Sequence, residues 1–309
     1  MTVLRKKRLN TPYHLHQSPL FKIKGKGQFE SIFGLDWYSC KSLSENIESY
    51  YHHGIVKIAD KDRKYQKPIY DLETIHRKIA KYLARIQQPD YVFSKKGRSF
   101  IDNASEHISL NPLIKTDIKS FFPSVSREMV FNLFAKKFLC SNDIASLLAD
   151  LCTVPLTDDS GALKQVLPTG SFLSDRLAFW TYVDVFDQIN MLAQKNECVF
   201  TLYVDDITIS GEKATKKMLS EVRQLLRNNG LKTKNLKSIT YASTQYKIVT
   251  GVRLSGSGML ASNKLQKKIR ITKQQIDDST DLIEIASLTG SLRGQQNIVT
   301  QIKNKNKEL

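Results

Sequence analysis

Little in this 309-residue chain favours a disulfide scaffold, a zinc site or a membrane span. Its four cysteines, Cys40, Cys140, Cys152 and Cys198, are scattered without paired spacing. That excludes a disulfide framework or a cysteine-based zinc site and fits reduced thiols in a cytosolic protein. The six histidines show no metal-ligand spacing, and His14, His16, His52 and His53 read as surface residues. No apolar run approaches the ~20 residues of a membrane helix. The N-terminal stretch is basic, but no apolar core follows it, so it is not a signal peptide. Acidic residues are scarce: Asp and Glu number 30 against 47 Lys and Arg, a net charge of +17. Such an excess calls for a polyanionic partner, nucleic acid first and an anionic membrane second. The 41% hydrophobic and 25% charged content is ordinary for a globular chain, long enough for a large core and two or three subdomains.

What stands out is the run Phe200-Thr-Leu-Tyr-Val-Asp-Asp-Ile-Thr-Ile-Ser210. Two β-rich segments flank Asp205 and Asp206, the pattern of a hairpin with both carboxylates at its turn. Two like charges between buried strands are costly unless a cation lies beside them. A divalent metal bound to a phosphate substrate is the obvious candidate. Two other acidic pairs serve as controls. Asp158-Asp159 and Asp277-Asp278 lie in polar, turn-like surroundings and read as solvated surface.

The rest of the chain supplies a setting. Leu43 to Tyr51 reads as a helix started by Ser42 or Ser44. The basic run Ile58 to Tyr70 reads as a hairpin bearing Lys61, Arg63, Lys64 and Lys67, suited to a triphosphate or template. Ile75, Ile79, Leu83 and Ile86 mark a helix from Leu72 to about Ile86. An apolar strand, Leu113 onward, delivers Asp117 and runs into Phe121-Phe122-Pro123, where Pro123 bars a central strand. Ser124 or Ser126 caps the next helix. A hairpin with its turn at Thr157 to Gly161 leads to Pro168-Thr-Gly-Ser171, which opens a long helix to Lys195. Free N–H groups at such a turn favour a phosphate. Lys213 to Asn229 reads as a helix closed by Gly230, and Lys247 to Arg253 as a strand with a turn at Gly251. Helices are expected over about Asn263 to Asp277 and Leu282 to Ile302, with a frayed Lys-rich tail. This succession is that of a split βαβ domain, which brings Asp117, Asp205 and Asp206 to one end of a sheet. Three carboxylates from two segments of a basic protein point to two-metal nucleotidyl transfer.

These residues carry a resemblance. Tyr203-Val-Asp-Asp206 resembles the Tyr-x-Asp-Asp box of reverse transcriptases. Asp117 to Ser124 resembles their first catalytic box, and Leu167 to Ser174 their nucleotide-binding box. Asn103-Ala-Ser-Glu-His107 and Val249-Thr-Gly251 resemble the Asn-Ala-x-x-His and Val-Thr-Gly elements of bacterial retron reverse transcriptases. The likeness extends from about Arg63 to Gly251. Two positions depart from the pattern. Thr169 replaces the usual Gln of the nucleotide box and is too short to reach as far, and Asp175 stands where Pro is common.

The resemblance implies an α+β right-hand polymerase. The N-terminal arm and fingers would span 1–110. The palm would span 111–254, with an interleaved fingers segment at about 126–180, and a helical thumb 255–309. It implies that Asp117, Asp205 and Asp206, with the Ile118 carbonyl, bind two Mg²⁺ ions. Phe122 would block a ribose 2′-hydroxyl, Arg63 would contact the triphosphate, Thr169 and Gly170 would lie at the incoming nucleotide, and Lys237 would help pyrophosphate leave. Asn103, His107, Val249, Thr250 and Gly251 would engage RNA. The implied activity is DNA synthesis on a cognate noncoding RNA that serves as template and primer, started from an RNA 2′-hydroxyl. The product is a branched RNA–DNA molecule, used in antiphage defence with an effector protein. No RNase H, endonuclease or integrase domain is expected after the thumb, and no membrane partner. The alternatives are another bacterial defence or intron-type reverse transcriptase, or a non-catalytic RNA scaffold that holds an effector inactive.

Overall fold

The computed structural model describes residues 11–58, 61–157 and 161–309. The start of the basic N-terminal stretch, the hairpin tip at 59–60, the Lys61 side chain and the acidic pair Asp158-Asp159 lie outside the described residues. In chain order the helices are α1 (Lys26–Phe33), α2 (Trp37–Glu45), α3 (Tyr70–Ala84), α4 (Phe100–Ser105), α5 (Arg127–Asn132), α6 (Asn142–Cys152), α7 (Ser174–Lys195), α8 (Lys216–Asn228), α9 (Asn263–Asp278) and α10 (Leu282–Glu308). The strands are β1 (Tyr51–Ile58), β2 (Lys61–Pro68), β3 (Leu113–Asp117), β4 (Val154–Thr157), β5 (Leu163–Val166), β6 (Val199–Tyr203), β7 (Asp206–Ser210), β8 (Ile239–Tyr241), β9 (Lys247–Val249), β10 (Val252–Ser255) and β11 (Gly258–Ala261). No described helix is long and apolar enough to cross a membrane. The chain divides into two compact units, Met1–Pro89 with Ser120–Phe186, and Asp90–Lys119 with Asp187–Leu309. Helix α4 and His107 belong to the second unit, and the C-terminal helices group with that unit's sheets.

In the first unit, the helix expected from Leu43 starts earlier, at Trp37. Asp36 is its N-cap, accepting hydrogen bonds from the Tyr38 and Ser39 N–H groups. Residues Tyr51 to Ile58 are a strand, so the basic run is only the second half of the β1–β2 hairpin, with Val56 opposite Arg63. On α3, Leu72, Ile75, Ile79 and Leu83 are fully buried at helical spacing. Ser126 caps α5, which passes into a π-turn at Leu133–Lys137 that sends Phe134 and Phe138 into the core. The β4–β5 hairpin leads to the Pro168–Ser171 turn, which rests against β2: Gln66 N donates to Thr169 O at 2.7 Å.

The second unit is built on a four-stranded antiparallel sheet in the order β6-β7-β3-β8. Opposed residues share a face. One face therefore carries Ile114, Ile207, Ile209, Phe200 and Leu202, all buried. Helix α8 packs on β3, and its Met218, Val222 and Leu226 are buried at helical spacing. The other face carries Lys115, Asp117, Asp206, Thr208, Ser210, Thr201 and Tyr203. A second core forms where Ile101 and Ala104 of α4 meet Leu113, Val249, Val252, Leu254, Met259 and Ile302.

The tail is not frayed. Helix α10 runs to Glu308, with Ile302 buried. The Asn306 amide closes a strand-like pair with Met259, accepting from its N–H at 2.9 Å and donating to its carbonyl at 2.7 Å. Lys305 pairs with Asp102 at 3.1 Å. Asn306→Ala strands the buried Met259 N–H and is expected to cost about 1–3 kcal/mol. Lys305→Ala, which removes a partly exposed ion pair, is expected to cost under about 1 kcal/mol. Urea denaturation of the two variants distinguishes the contributions.

Candidate active site

The three acids meet at one end of the sheet. Asp117 ends β3, and Asp206 begins β7 directly opposite it. Asp205 lies in the two-residue link after Tyr203, and its carbonyl accepts from Ile118 N at 3.0 Å. Asp205 is therefore a turn residue while Asp206 is the first strand residue. The link is strained: Val204 has a φ of 58°, where a β-branched side chain is uncommon.

The cationic surroundings come from a segment whose placement the sequence did not reveal. Lys119 N donates to Lys232 O at 2.7 Å, and Lys234 N donates to Asp117 O at 2.9 Å. This short pairing runs Lys234 and Lys237 alongside Asp117, and both ammonium groups ion-pair with its carboxylate. Lys234 also lies 3.9 Å from Asp205. Arg223 steadies the segment through Thr233 at 3.0 Å and Asn235 at 2.6 Å. Lys115, two residues before Asp117, donates to the Ile248 carbonyl at 3.1 Å.

The electrostatics are unequal. Burial pushes Asp117 upward, but Lys234 and Lys237 outweigh it and hold the carboxyl below its ordinary range. Burial raises Asp205, with help from the Asp117 charge and against Lys234. Burial and the Asp205 and Asp117 charges push Asp206 up to about 6, against Lys115 and Lys237. Burial lowers Lys115.

A cleft of about 450 Å³ opens beside Asp206. It is lined by Phe100, Lys115, Tyr203, Asp206, Lys237, Ile239, Thr250 and Gly251. Thr250 and Gly251 both have positive φ, 45° and 86°, the sign pattern of a type I′ turn joining β9 to β10. Thr250 Oγ1 donates to the Phe100 carbonyl at 2.6 Å, fixing the turn to α4. The cleft thus joins Asp206 to a turn that lies far from it in sequence.

The other residues expected to meet RNA lie inside. Asn103, His107 and Val249 are fully buried, so none of them presents a surface to RNA directly. The His107 ring bridges Ser210 Oγ and Thr201 Oγ1, each at 2.7 Å, on the face that carries the acids. Burial drives its pKa to about 3. Both polar atoms of the Asn103 amide lack a hydrogen-bond partner among the described residues. Val249 belongs to the second core.

Arg63, Phe122, Thr169 and Gly170 belong to the first unit. Arg63 is exposed on β2. Phe122 opens a single 3-10 turn with Pro123 and is half-buried against Phe121, whose own ring contacts Tyr182 and Phe186. Gly170 has a φ of 112°. Sequence reasoning did not single out Lys115, Lys234 or Phe100 as site residues. The signal available for Lys115 was its two-residue spacing from Asp117 on a strand.

Among the described residues, no three His, Cys, Asp or Glu groups already form a metal cage. The donor set nevertheless fits a hard divalent cation. All three acids are oxygen donors, and burial, with the neighbouring acid charges, pushes Asp205 and Asp206 toward protonation. Asp117, Asp205 and Asp206 are the residues that would hold it.

Residues 51–254 match the family model described as reverse transcriptase (RNA-dependent DNA polymerase). Among characterised proteins, the chain is 28% identical to the retron Se72 reverse transcriptase of Salmonella heidelberg over 159 residues, 50% of this chain and 38% of that one. It is 26% identical to the retron Ec86 reverse transcriptase of Escherichia coli over 178 residues, 57% of this chain and 52% of that one. The matched portion thus spans about half or less of these relatives' length. Among solved structures, the telomerase of Candida albicans, in a complex with a fragment of telomeric RNA, superposes with a TM-score of 0.44 at 12% identity. It covers 90% of this chain and 61% of that one.

The unequal charges predict opposite stability effects in buffer free of divalent cations. Asp206 is raised on folding, so its ionisation opposes the fold. The cost is absent below the ordinary carboxylate pKa of about 4, grows to about pH 6 and is constant above. Asp206→Asn should raise the melting temperature at pH 7.5, with the gain vanishing near pH 4. Asp117 is lowered, so its stabilisation is present above the ordinary carboxylate range and lost as pH falls through its folded value. Asp117→Asn should lower the melting temperature at pH 7.5, since it leaves Lys234 and Lys237 without their partner. Thermal melts across pH check both.

Proposed function

Because the chain belongs to the reverse transcriptase family, we propose that it is an RNA-directed DNA polymerase of the retron type. One observation carries the reading: Asp117 and Asp206 stand opposed in register with Asp205 in the adjoining turn. The relatives named as retron reverse transcriptases support the narrower assignment. The net charge of +17 suits an RNA partner.

In this reading Asp117, Asp205 and Asp206, with the Ile118 carbonyl, hold Mg²⁺, two ions in all. Bound there, the metal stabilises the attacking oxygen and the leaving pyrophosphate. The chain's own residues do the rest. Lys237, beside Asp117, meets the negative charge that develops on the leaving group. Arg63, a planar bidentate donor, takes the triphosphate. Phe122, held by Phe121, closes off the space of a ribose 2′-hydroxyl and selects deoxynucleotides. Thr169 and Gly170 face the nucleotide. The Thr250-Gly251 turn shares its cleft with Asp206 and receives the priming strand. His107 and Val249 act from inside, His107 through its bonds to the sheet and Val249 through the core it shares with α4, and Asn103 is buried on α4 beside them.

The substrates are deoxynucleoside triphosphates and a cognate noncoding RNA, template and primer at once, extended from a 2′-hydroxyl. The product is a branched RNA–DNA molecule that works with an effector protein in antiphage defence, in the cytoplasm.

Purified protein is incubated with its cognate RNA, Mg²⁺ and deoxynucleotides. Wild type should make DNA joined to RNA. Asp205→Asn should lose at least ~10²–10³-fold of that synthesis and keep its RNA affinity. Unchanged synthesis in this variant would overturn the polymerase mechanism. Intact defence without any DNA would leave an RNA-binding scaffold.

A further inference from the structure

The Pro168–Ser171 turn is braced on nearly every side. Ser174 Oγ donates to the Pro168 carbonyl at 2.7 Å. His76 is fully buried. Its Nε2 lies 2.7 Å from the Leu151 carbonyl, which can only accept, so Nε2 carries the proton and Nδ1 accepts from Ser171 Oγ at 2.7 Å. Gly170 lies flat on β2: a Cβ there would come within 3.3 Å of Tyr65 Cβ and 3.4 Å of the Gln66 carbonyl.

Thr169 stands at the centre, and both of its backbone polar groups are taken by one residue. Gln66 N donates to Thr169 O at 2.7 Å, and Gln66 Oε1 accepts from Thr169 N at 3.0 Å. The first bond belongs to the main chain and survives any substitution except proline. The second depends on the Gln66 side chain, which is only 4% exposed. Gln66 and Thr169 line one groove of about 620 Å³, together with His53, Lys64, Tyr65 and Pro123. The Thr169 side chain is itself short.

We infer that Gln66 is a positioning residue for the incoming deoxynucleoside triphosphate: its side-chain carbonyl fixes the Thr169–Gly170 backbone and makes the β1–β2 hairpin and the turn one body. The inference rests on the polymerase reading above. Its consequence is specific. Loss of the bond should loosen the nucleotide's seat and leave the acids untouched, since they lie on other strands.

The test is steady-state extension of a primed RNA template, with deoxynucleotide titrated, for wild type, Gln66→Leu, Gln66→Glu and Gly170→Ala. Gln66→Leu keeps the size and removes the acceptor. It should raise KM for the nucleotide about tenfold, the equivalent of one hydrogen bond, with kcat and template–primer affinity unchanged. Gln66→Glu keeps the acceptor and should restore KM. Gly170→Ala pushes the turn off β2 by another route and should reproduce the KM defect if Gln66→Leu proves too unstable to assay. The inference is overturned if KM is unchanged in Gln66→Leu, or in Gly170→Ala where Gln66→Leu cannot be assayed, if kcat falls in place of a KM rise, or if Gln66→Glu is as impaired as Gln66→Leu. A wild type that makes no DNA removes the polymerase reading and this inference with it. A wild type that makes DNA while Gln66→Leu keeps its KM removes the inference alone.

Discussion

The opposition of Asp117 and Asp206 across two paired strands is the constraint on which the second unit depends. Antiparallel neighbours of like charge repel, and burial makes the repulsion worse. The chain does not relieve it by moving the acids apart. It packs β3 between β7 and β8, so the acids cannot separate without breaking the sheet. It also brings three lysines from two places: Lys115 on β3 itself, and Lys234 and Lys237 from the segment after α8. The compensation is uneven. Asp117 receives two ammonium groups, while Asp205 and Asp206 remain raised. That residual deficit of positive charge is what leaves the end of the sheet favourable to a cation, as the proposed function requires.

Each unit contains one buried neutral histidine that ties polar groups together. His107 joins two strands of the acid-bearing sheet through Thr201 and Ser210. His76 joins the end of α6 to Ser171. Burial holds both imidazoles far below their ordinary pKa, to about 3 and about 4. They stay uncharged at neutral pH, with no counter-charge needed, and serve as rigid two-ended connectors. Asn103 and His107 thus belong to the internal frame, and the surface that frame presents is the Thr250-Gly251 turn.

The acid-bearing hairpin was legible because its signal is local: alternating apolar residues around two carboxylates, with strand periodicity on both sides. Asp117 was legible as a strand-end acid before an aromatic pair, and the long helices through their buried stripes. The Lys234 contact was not, because the run from Leu231 to Ile239 holds several lysines of equal appearance and only its pairing with residues 117–119 selects among them. The start of α2 was missed because Asp36 outcompetes the later serines as a cap. The ordered tail was missed because Asn306 stabilises it through a distant strand, while its own sequence is merely polar. Gln66 was invisible for the same reason: nothing in the hairpin says which backbone its amide will meet.

Two β-branched residues, Val204 and Thr250, hold left-handed φ values at the turns that bound the cleft. Each costs on the order of 1–3 kcal/mol, and glycine would remove that cost. Glycine would also release the turn. Val204 sits between Tyr203, paired in β6, and Asp205, whose carbonyl is bonded to Ile118, so the strained link has one geometry available to it. Thr250 supplies the hydroxyl that binds Phe100, which glycine cannot do. Strain at the turns and repulsion between the acids therefore fall in the same few residues. The stability given up there is returned as fixed positions for the carboxylates.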